Sequence, residues 1–169
     1  MPCLNKTLSK KLKNAKRVFV LGIGSELLAD DCAGLLVAQQ LKGPYLPKNR
    51  LSVKFKALPA GNAPENFTGE IKKFKPTHLI IIDAADLGKN PGAAAVFAPS
   101  EATGISFSTH RLPCKIMADY LAQSLACEII MIGIQPKSLL FGKPVCKAVE
   151  KSVKSLVGVI RDCLTKPAR

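Results

Sequence analysis

A chain of 169 residues with 47% hydrophobic residues is long enough for one domain with a substantial core, and too apolar to be disordered overall. The 25 Lys and Arg residues outnumber the 12 Asp and Glu residues, for a net charge of +13 that favours acidic partners. No apolar run approaches the roughly 18–20 residues of a membrane span, and the longest candidate, Leu79 to Ile82, ends at Asp83. With no Trp in the chain, a Trp-anchored sugar or membrane site is excluded.

Residues 1–16 are expected to form a basic lead-in segment ahead of a single α/β domain over residues 17–169. Leu4, Leu8 and Leu12 recur at helical spacing, which predicts a short amphipathic helix or a frayed tail. This segment has no apolar stretch before a cleavage site, so we expect a cytoplasmic protein. None of the six cysteines forms a Cys-x-x-Cys pair, so zinc-knuckle and redox motifs lack support and reduced thiols are expected.

The first half of the domain alternates predicted strands and helices. The β-branched and aliphatic run Arg17–Ile23 predicts a strand, and the helical spacing of apolar residues in Asp30–Leu41 predicts a helix. Alternation of apolar and polar residues predicts a half-buried strand over Leu51–Leu58. A helix over Pro64–Phe74 follows, with proline near its first position.

The second half continues this alternation. Thr77–Asp83 is predicted as a fully apolar strand closed by a carboxylate, and Ala94–Phe97 as a strand after a turn. A helix over Leu112–Leu125, a strand over Cys127–Ile134 and a closing helix over Ala148–Leu164 complete the chain. Apolar central strands alternating with helices predict a single three-layer α/β/α domain with a mainly parallel, twisted sheet. In such sheets ligands bind beyond the carboxyl ends of the strands, near the point where strand order reverses.

The loop after the first strand is glycine-rich but does not fit a dinucleotide site. The Gly-x-Gly-x-x-Gly pattern would need glycine at position 27, where Leu27 stands. Glu26, Asp30 and Asp31 place negative charge where a pyrophosphate would lie, so a cation or a cationic peptide suits this loop better. The alternative for Asp30 and Asp31 is structural, as caps of the helix that they open.

Two further polar positions follow later strands. Asp83 ends the central strand, with a backbone-bonded loop acid as its structural alternative, and Asp86 is interpreted as a turn former. His110 precedes the long helix and could also be structural. The other histidine, His78, begins the central strand at its amino end and is interpreted as structural.

Asp31, Asp83 and His110 are remote in sequence but follow successive strands, so the fold could bring them to one crevice. Two carboxylates and one imidazole can take a first-row divalent ion, including nickel or zinc, with positions left open. The spacing does not select the metal, and it is also compatible with a metal-free acid/base site.

Five segments in register carry a family resemblance, which covers about Arg17 to Leu164. They are Gly22–Gly34 (GIGSELLADDCAG), Gly61–Asn66 (GNAPEN), Leu79–Gly92 (LIIIDAADLGKNPG), Ser108–Pro113 (STHRLP) and Gly133–Pro136 (GIQP). Together they resemble the [NiFe]-hydrogenase maturation endopeptidases, particularly the type that serves hydrogenase 3 and other energy-converting or formate-linked hydrogenases. Ser25 stands where the family usually has asparagine, and Cys32 where it usually has a small residue. Cys32 is expected to add no metal ligand.

The resemblance implies removal of a short C-terminal tail from the hydrogenase large-subunit precursor once nickel has been inserted. The family's metal-contact positions carry over to Asp31, Asp83 and His110, and Asp31 and Asp83 are the catalytic candidates. The nickel would come with the substrate, so the free enzyme can be without metal, and no further cofactor-binding residue is expected. The expected partner is the precursor, with no nucleic acid, no membrane insertion and a monomeric enzyme.

Other functions stay open at this point. A nucleotide-binding α/β domain is opposed by Leu27 and the acidic loop, and a nucleic-acid-binding module lacks the aromatic residues for base stacking. A non-catalytic, chaperone-like relative that binds the precursor is a further alternative. Motifs of serine, zinc and cysteine proteases are absent from the sequence. Whether the metal or a carboxylate activates the water, which bond is cut and which hydrogenase is processed are not determined by the sequence.

Overall fold

The sheet has parallel central strands and an antiparallel edge. The computed structural model describes residues 2–43, 53–102, 106–107 and 114–165. The strands within these ranges are β1 (Arg17–Ile23), β2 (Lys54–Gly61), β3 (His78–Asp86), β4 (Ala94–Phe97), β5 (Ser106–Phe107) and β6 (Glu128–Ile134). The strand order is β2-β1-β3-β6-β4, in which β4 alone is antiparallel, and β5 pairs antiparallel with the end of β3.

Helices cover both faces of this sheet, which confirms the predicted three-layer, mainly parallel α/β architecture. They are α1 (Pro2–Lys11), α2 (Ala33–Lys42), α3 (Thr68–Phe74), α4 (Cys114–Ser124) and α5 (Lys147–Thr165). Side chains of α1, α2 and α5 share one core cluster with Val18 and Val20 of β1. Side chains of α3 and α4 share the other cluster with Phe19 and Leu21. Alternate residues of one strand therefore supply both cores, as the period of a strand requires. No helix in the described ranges is long and apolar enough to span a membrane.

The lead-in segment belongs to the same core as the rest of the chain. Leu4, Leu8 and Leu12 are all buried and pack in the cluster that contains α5. Ser9 Oγ lies 3.3 Å from Cys163 Sγ of α5. The helical spacing of the three leucines therefore reflects a packed helix rather than a frayed tail.

Several element bounds differ from the sequence prediction. The predicted strand Leu51–Leu58 is observed as Lys54–Gly61, and its first two residues lie outside the described ranges. The strand continues through Pro59 because β2 is an edge strand, where a proline need not donate to a second neighbour. The predicted helices over Asp30–Leu41 and Pro64–Phe74 each begin with a 3-10 turn.

The connections place a topological switch between β1 and β3. From β1 the chain crosses to β2 on one side, whereas from β3 the parallel sheet continues to β6 on the other. β1 and β3 are neighbours, with Gly22 opposite Ile82 near their carboxyl ends. A crevice at the carboxyl ends of these two strands is therefore the expected ligand position.

Candidate functional site

Buried carboxylates gather at the carboxyl end of the sheet. The acidic side chains buried among the described residues are Asp30, Asp31 and Asp83, each no more than 1% exposed. Asp31 lies in the 3-10 turn Ala29–Cys32 after β1, and Asp83 lies in β3 next to the switch point. This turn packs against β3. The fold therefore brings the segments of Asp31 and Asp83 together, as predicted.

Two glycines make this close approach possible. A Cβ at Gly34 in the first turn of α2 would lie 2.1 Å from the carbonyl oxygen of Ile82 and 2.5 Å from that of Ile23. A Cβ at Gly24, where φ is +136°, would lie 2.0 Å from the carbonyl oxygen of Asp31. Only glycine fits such contacts with backbone atoms. The glycine pattern in this loop thus serves packing against the ends of β1 and β3.

The neighbouring residues Asp30 and Asp31 have different roles. Asp30 Oδ2 accepts hydrogen bonds from the backbone N–H groups of Lys137 (2.8 Å) and Ser138 (3.2 Å), and Oδ1 accepts one from Cys146 (2.7 Å). Asp31 Oδ2 accepts a hydrogen bond from the backbone N–H of Ser25 at 2.7 Å. Asp30 therefore holds the distant loop after β6, whereas Asp31 folds back onto its own loop.

The alternative in which these two acids cap α2 is wrong. The N-cap of α2 is Cys32, and no side-chain hydrogen bond caps this helix. Both carboxylates instead bind N–H groups outside the helix. Both acids lie in the 3-10 turn Ala29–Cys32 that precedes α2, so neither occupies the N-cap position.

The loop after β3 is held by its own acids and by a glutamine. Asp83 Oδ1 accepts a hydrogen bond from the N–H of Ala84 at 2.8 Å, and Asp86 Oδ1 accepts one from Gly88 at 3.1 Å, which confirms Asp86 as a turn former. Gln135 Oε1 accepts hydrogen bonds from the N–H groups of Leu87 (2.7 Å) and Lys89 (3.2 Å). Gln135 belongs to the Gly-Ile-Gln-Pro segment, and its role was not predicted because its partners are more than 40 residues away.

His110 lies outside the described residues, so the third predicted member of the site stays a prediction. Among the side chains that the structure does describe, no three His, Cys, Asp or Glu residues form a group that could hold a metal. His78 is buried at the amino end of β3, with Nε2 3.5 Å from Glu128 Oε2. It therefore lies at the edge of the sheet opposite the candidate site, in agreement with its interpretation as structural.

Cys32 is buried in the same 3-10 turn as Asp31. Burial and the nearby carboxylates, Asp31 first, raise the pKa of its thiol to about 11. Its Sγ donates a hydrogen bond to the carbonyl oxygen of Ala29 at 3.2 Å. The thiol is thus buried and hydrogen-bonded within its own turn, and the expectation that Cys32 adds no ligand stays a prediction.

An open groove of about 430 Å³ adjoins this site. Its walls are the loop residues Gly24–Glu26, Leu35 and Gln39 of α2, and Pro59–Asn62 at the end of β2. Glu26 closes one side by accepting a hydrogen bond from Gln39 Nε2 at 2.9 Å. Ser25, which lines the groove, donates its N–H to Asp31, so a single hydrogen bond links the groove wall to this buried acid.

Comparison with known proteins identifies the family to which this architecture belongs. Residues 35–162 match the family described as hydrogenase maturation protease. The chain belongs to the hydrogenase maturation proteases. This match confirms the family resemblance predicted from the sequence. Members of this family are peptide hydrolases.

Individual relatives agree with this assignment. The hydrogenase 3 maturation protease of Escherichia coli K12 is 33% identical over 138 residues, covering 81% of this chain and 84% of the relative. A Methanocaldococcus jannaschii protein, whose own assignment as a hydrogenase maturation protease is provisional, is 38% identical over 160 residues, with 93% and 94% of the two chains covered. The crystal structure of a [NiFe] hydrogenase maturation protease from Thermococcus kodakarensis superimposes with a TM-score of 0.84 at 29% identity, covering 95% of this chain and 99% of that one.

Proposed function

We propose that this protein removes the C-terminal tail of a [NiFe]-hydrogenase large-subunit precursor, and that nickel held by the precursor is the recognition element. Membership of the family supports the processing role. The observation that carries the site assignment is the contact of Gly34 with Ile82, because it packs the segment of Asp31 against the strand that carries Asp83. We expect the protein to act in the cytoplasm as a monomer.

The donor set suits a substrate-borne nickel ion. Two carboxylates and the imidazole of His110 offer oxygen and nitrogen ligands that first-row divalent ions accept. Asp31 and Asp83 are each no more than 1% exposed, so their attraction to a cation brought by the substrate would be little screened by water. Cutting would then depend on metal loading, because only the loaded precursor makes these contacts.

The hydrolytic step needs an activated water. In one route the nickel polarises the water or the scissile carbonyl, and in the other Asp31 or Asp83 takes a proton from the water as general base. In both routes these carboxylates lie at the reacting centre. The test below therefore examines Asp31 and Asp83 together with the metal dependence.

The experiment is an intact-mass measurement of a large-subunit precursor, nickel-loaded and nickel-free, after incubation with the enzyme. Wild type should release a C-terminal fragment from the loaded form alone. Asp31→Asn and Asp83→Asn retain an oxygen for the N–H groups of Ser25 and Ala84, so they should fold normally but cut at least roughly 100-fold more slowly. Asp86→Asn is the matched control, since this exposed acid lies at the end of the same strand and should process normally.

Three results would contradict parts of this proposal. Normal processing by both Asn variants would remove the site assignment. Equal cutting of nickel-free precursor would remove the metal checkpoint. No cleavage of a verified nickel-loaded precursor would replace the enzyme with a non-catalytic, precursor-binding relative.

A further inference from the structure

An exposed apolar surface lies beside the candidate site and takes no part in the chemistry above. Its members are Leu27 (61% exposed), Leu139 (38%), Leu140 (63%) and Phe141 (73%), which we call the apolar rim. Leu27 precedes the turn that carries Asp31, whereas the other three follow β6. Exposed large apolar side chains gathered on two loops are unusual on a monomer and typical of an interaction site.

Backbone pairing holds the two loops of the apolar rim together. Leu28 and Phe141 form an antiparallel β-bridge, and the N–H of Gly142 donates to the carbonyl oxygen of Leu27 at 2.9 Å. The N–H of Asp30 donates to the carbonyl oxygen of Ser138 at 3.1 Å. Because these loops are fixed in place, binding at the apolar side chains needs little ordering of the backbone.

The charge around the apolar rim selects the chemistry of its partner. Residues 135–147 contain the exposed Lys137, Lys143 and Lys147 and no acid. Glu26, the nearest acid in sequence on the other loop, is engaged by Gln39 on the groove side. A partner segment with apolar side chains at its centre and carboxylates at its flanks would match this surface.

Resting on the proposed function, we infer that the apolar rim is the docking surface for the large-subunit precursor, which binds it through an apolar segment flanked by acidic residues. The rim is continuous with the loop of Asp31, so a protein whose tail reaches the site comes into contact with it. A second copy of this chain is a poorer occupant, since it carries the same lysines and a net charge of +13. An anionic membrane is a poorer occupant because the site beside the rim must admit a polypeptide.

The test compares processing kinetics of wild type and the double variant Leu140→Ser/Phe141→Ser over a range of nickel-loaded precursor concentrations. The double variant should raise KM roughly 10- to 100-fold, because two apolar side chains leave the interface, while kcat stays within about twofold. Ile116→Ser is the matched control: Ile116 is 52% exposed on α4, on the far side of the sheet from α2 and α5, and its KM should not change. Lys143→Glu should raise KM at low salt, with a smaller effect at about 0.5 M NaCl.

Precursor binding is measured separately by biolayer interferometry, so that docking and cleavage can fail independently. If wild type binds the precursor without cutting it, the proposed function fails, and a rise in Kd for the double variant still supports the rim. If KM and Kd of the double variant equal those of wild type, or Ile116→Ser weakens binding as much, the inference is overturned. It is also overturned if wild type does not bind the precursor. Two other results would assign the rim to a different occupant and overturn it as well: a dimeric wild type with a monomeric double variant, or a double variant that loses binding to anionic vesicles but not to the precursor.

Discussion

Replacing Gly34 by alanine tests whether the first turn of α2 sets the position of the site. The added Cβ would lie 2.1 Å from the carbonyl oxygen of Ile82 and 2.5 Å from that of Ile23, whereas ordinary carbon–oxygen contacts are about 3.3–3.6 Å. Both oxygens belong to hydrogen-bonded central strands and cannot move alone. The start of α2 must therefore shift by about 1 Å, carrying Asp31 away from β3.

This displacement has an expected size in both stability and activity. Overpacking a close-packed contact costs about 1–3 kcal/mol, and the rigid backbone neighbours place Gly34→Ala at the upper end, about 3 kcal/mol. For a chain of this length that corresponds to a fall in Tm of roughly 6–12 °C. A misplacement of about 1 Å at a site costs on the order of 100-fold in rate.

The assay combines urea unfolding with processing measured well below the Tm of the variant, so that unfolded protein does not account for lost activity. Gly158→Ala in α5 is the matched control, because a Cβ there meets nothing within 4 Å. It should stabilise the protein by up to about 1 kcal/mol and leave processing unchanged. Wild-type stability and processing in Gly34→Ala would refute the argument that this glycine positions the site.

Two further predictions concern the buried ionisable side chains Asp30 and His78. Asp30→Asn places an amide N–H₂ against backbone donors such as those of Lys137 and Cys146. We therefore expect the free energy of unfolding in urea to fall by about 2–4 kcal/mol, with faster proteolysis after β6. Wild-type stability would show that Asp30 does not hold this loop. Burial, only partly opposed by Glu128, lowers the pKa of His78 in the folded state. As pH falls through about 6.5 the unfolded chain therefore binds the proton first and stability falls. His78→Gln should lose less unfolding free energy than wild type between pH 7.5 and 5.5, and equal losses would contradict this assignment.

The three layers and the mainly parallel sheet follow from signals that the sequence carries locally, whereas the strand order does not. The runs that form β1 and β6 are apolar on both faces, and such runs have few alternatives to a central parallel strand. The strand β5 was not predicted, because two residues show no periodicity. The onset of β2 was misplaced because alternation over Leu51–Leu58 does not record where pairing with β1 begins.

The site was predictable only in part, because its contacts join distant parts of the chain. Position after β1 placed Asp31 in the turn that packs against β3, whereas the predicted strand end at Asp83 was wrong, because β3 continues to Asp86. The family resemblance selected Asp31, but residue type and position alone could not separate it from Asp30, since the two are adjacent acids in one loop. What separates them is the loop after β6, whose N–H groups lie 107–116 residues away from Asp30.

This division between adjacent acids leads to a kinetic distinction. Asp30 holds the loop that carries Leu140 and Phe141, whereas Asp31 lies at the proposed reacting centre. If the loop docks the precursor, Asp30→Asn should raise KM through a loosened binding surface and leave kcat nearly unchanged, whereas Asp31→Asn should lower kcat, because Asp31 lies at the reacting centre. Both substitutions replace an aspartate by asparagine at adjacent positions. A change in KM in one variant and in kcat in the other therefore cannot come from the chemistry of the substitution itself. The same kinetic defect in both variants would mean that docking and chemistry are not separated along this turn.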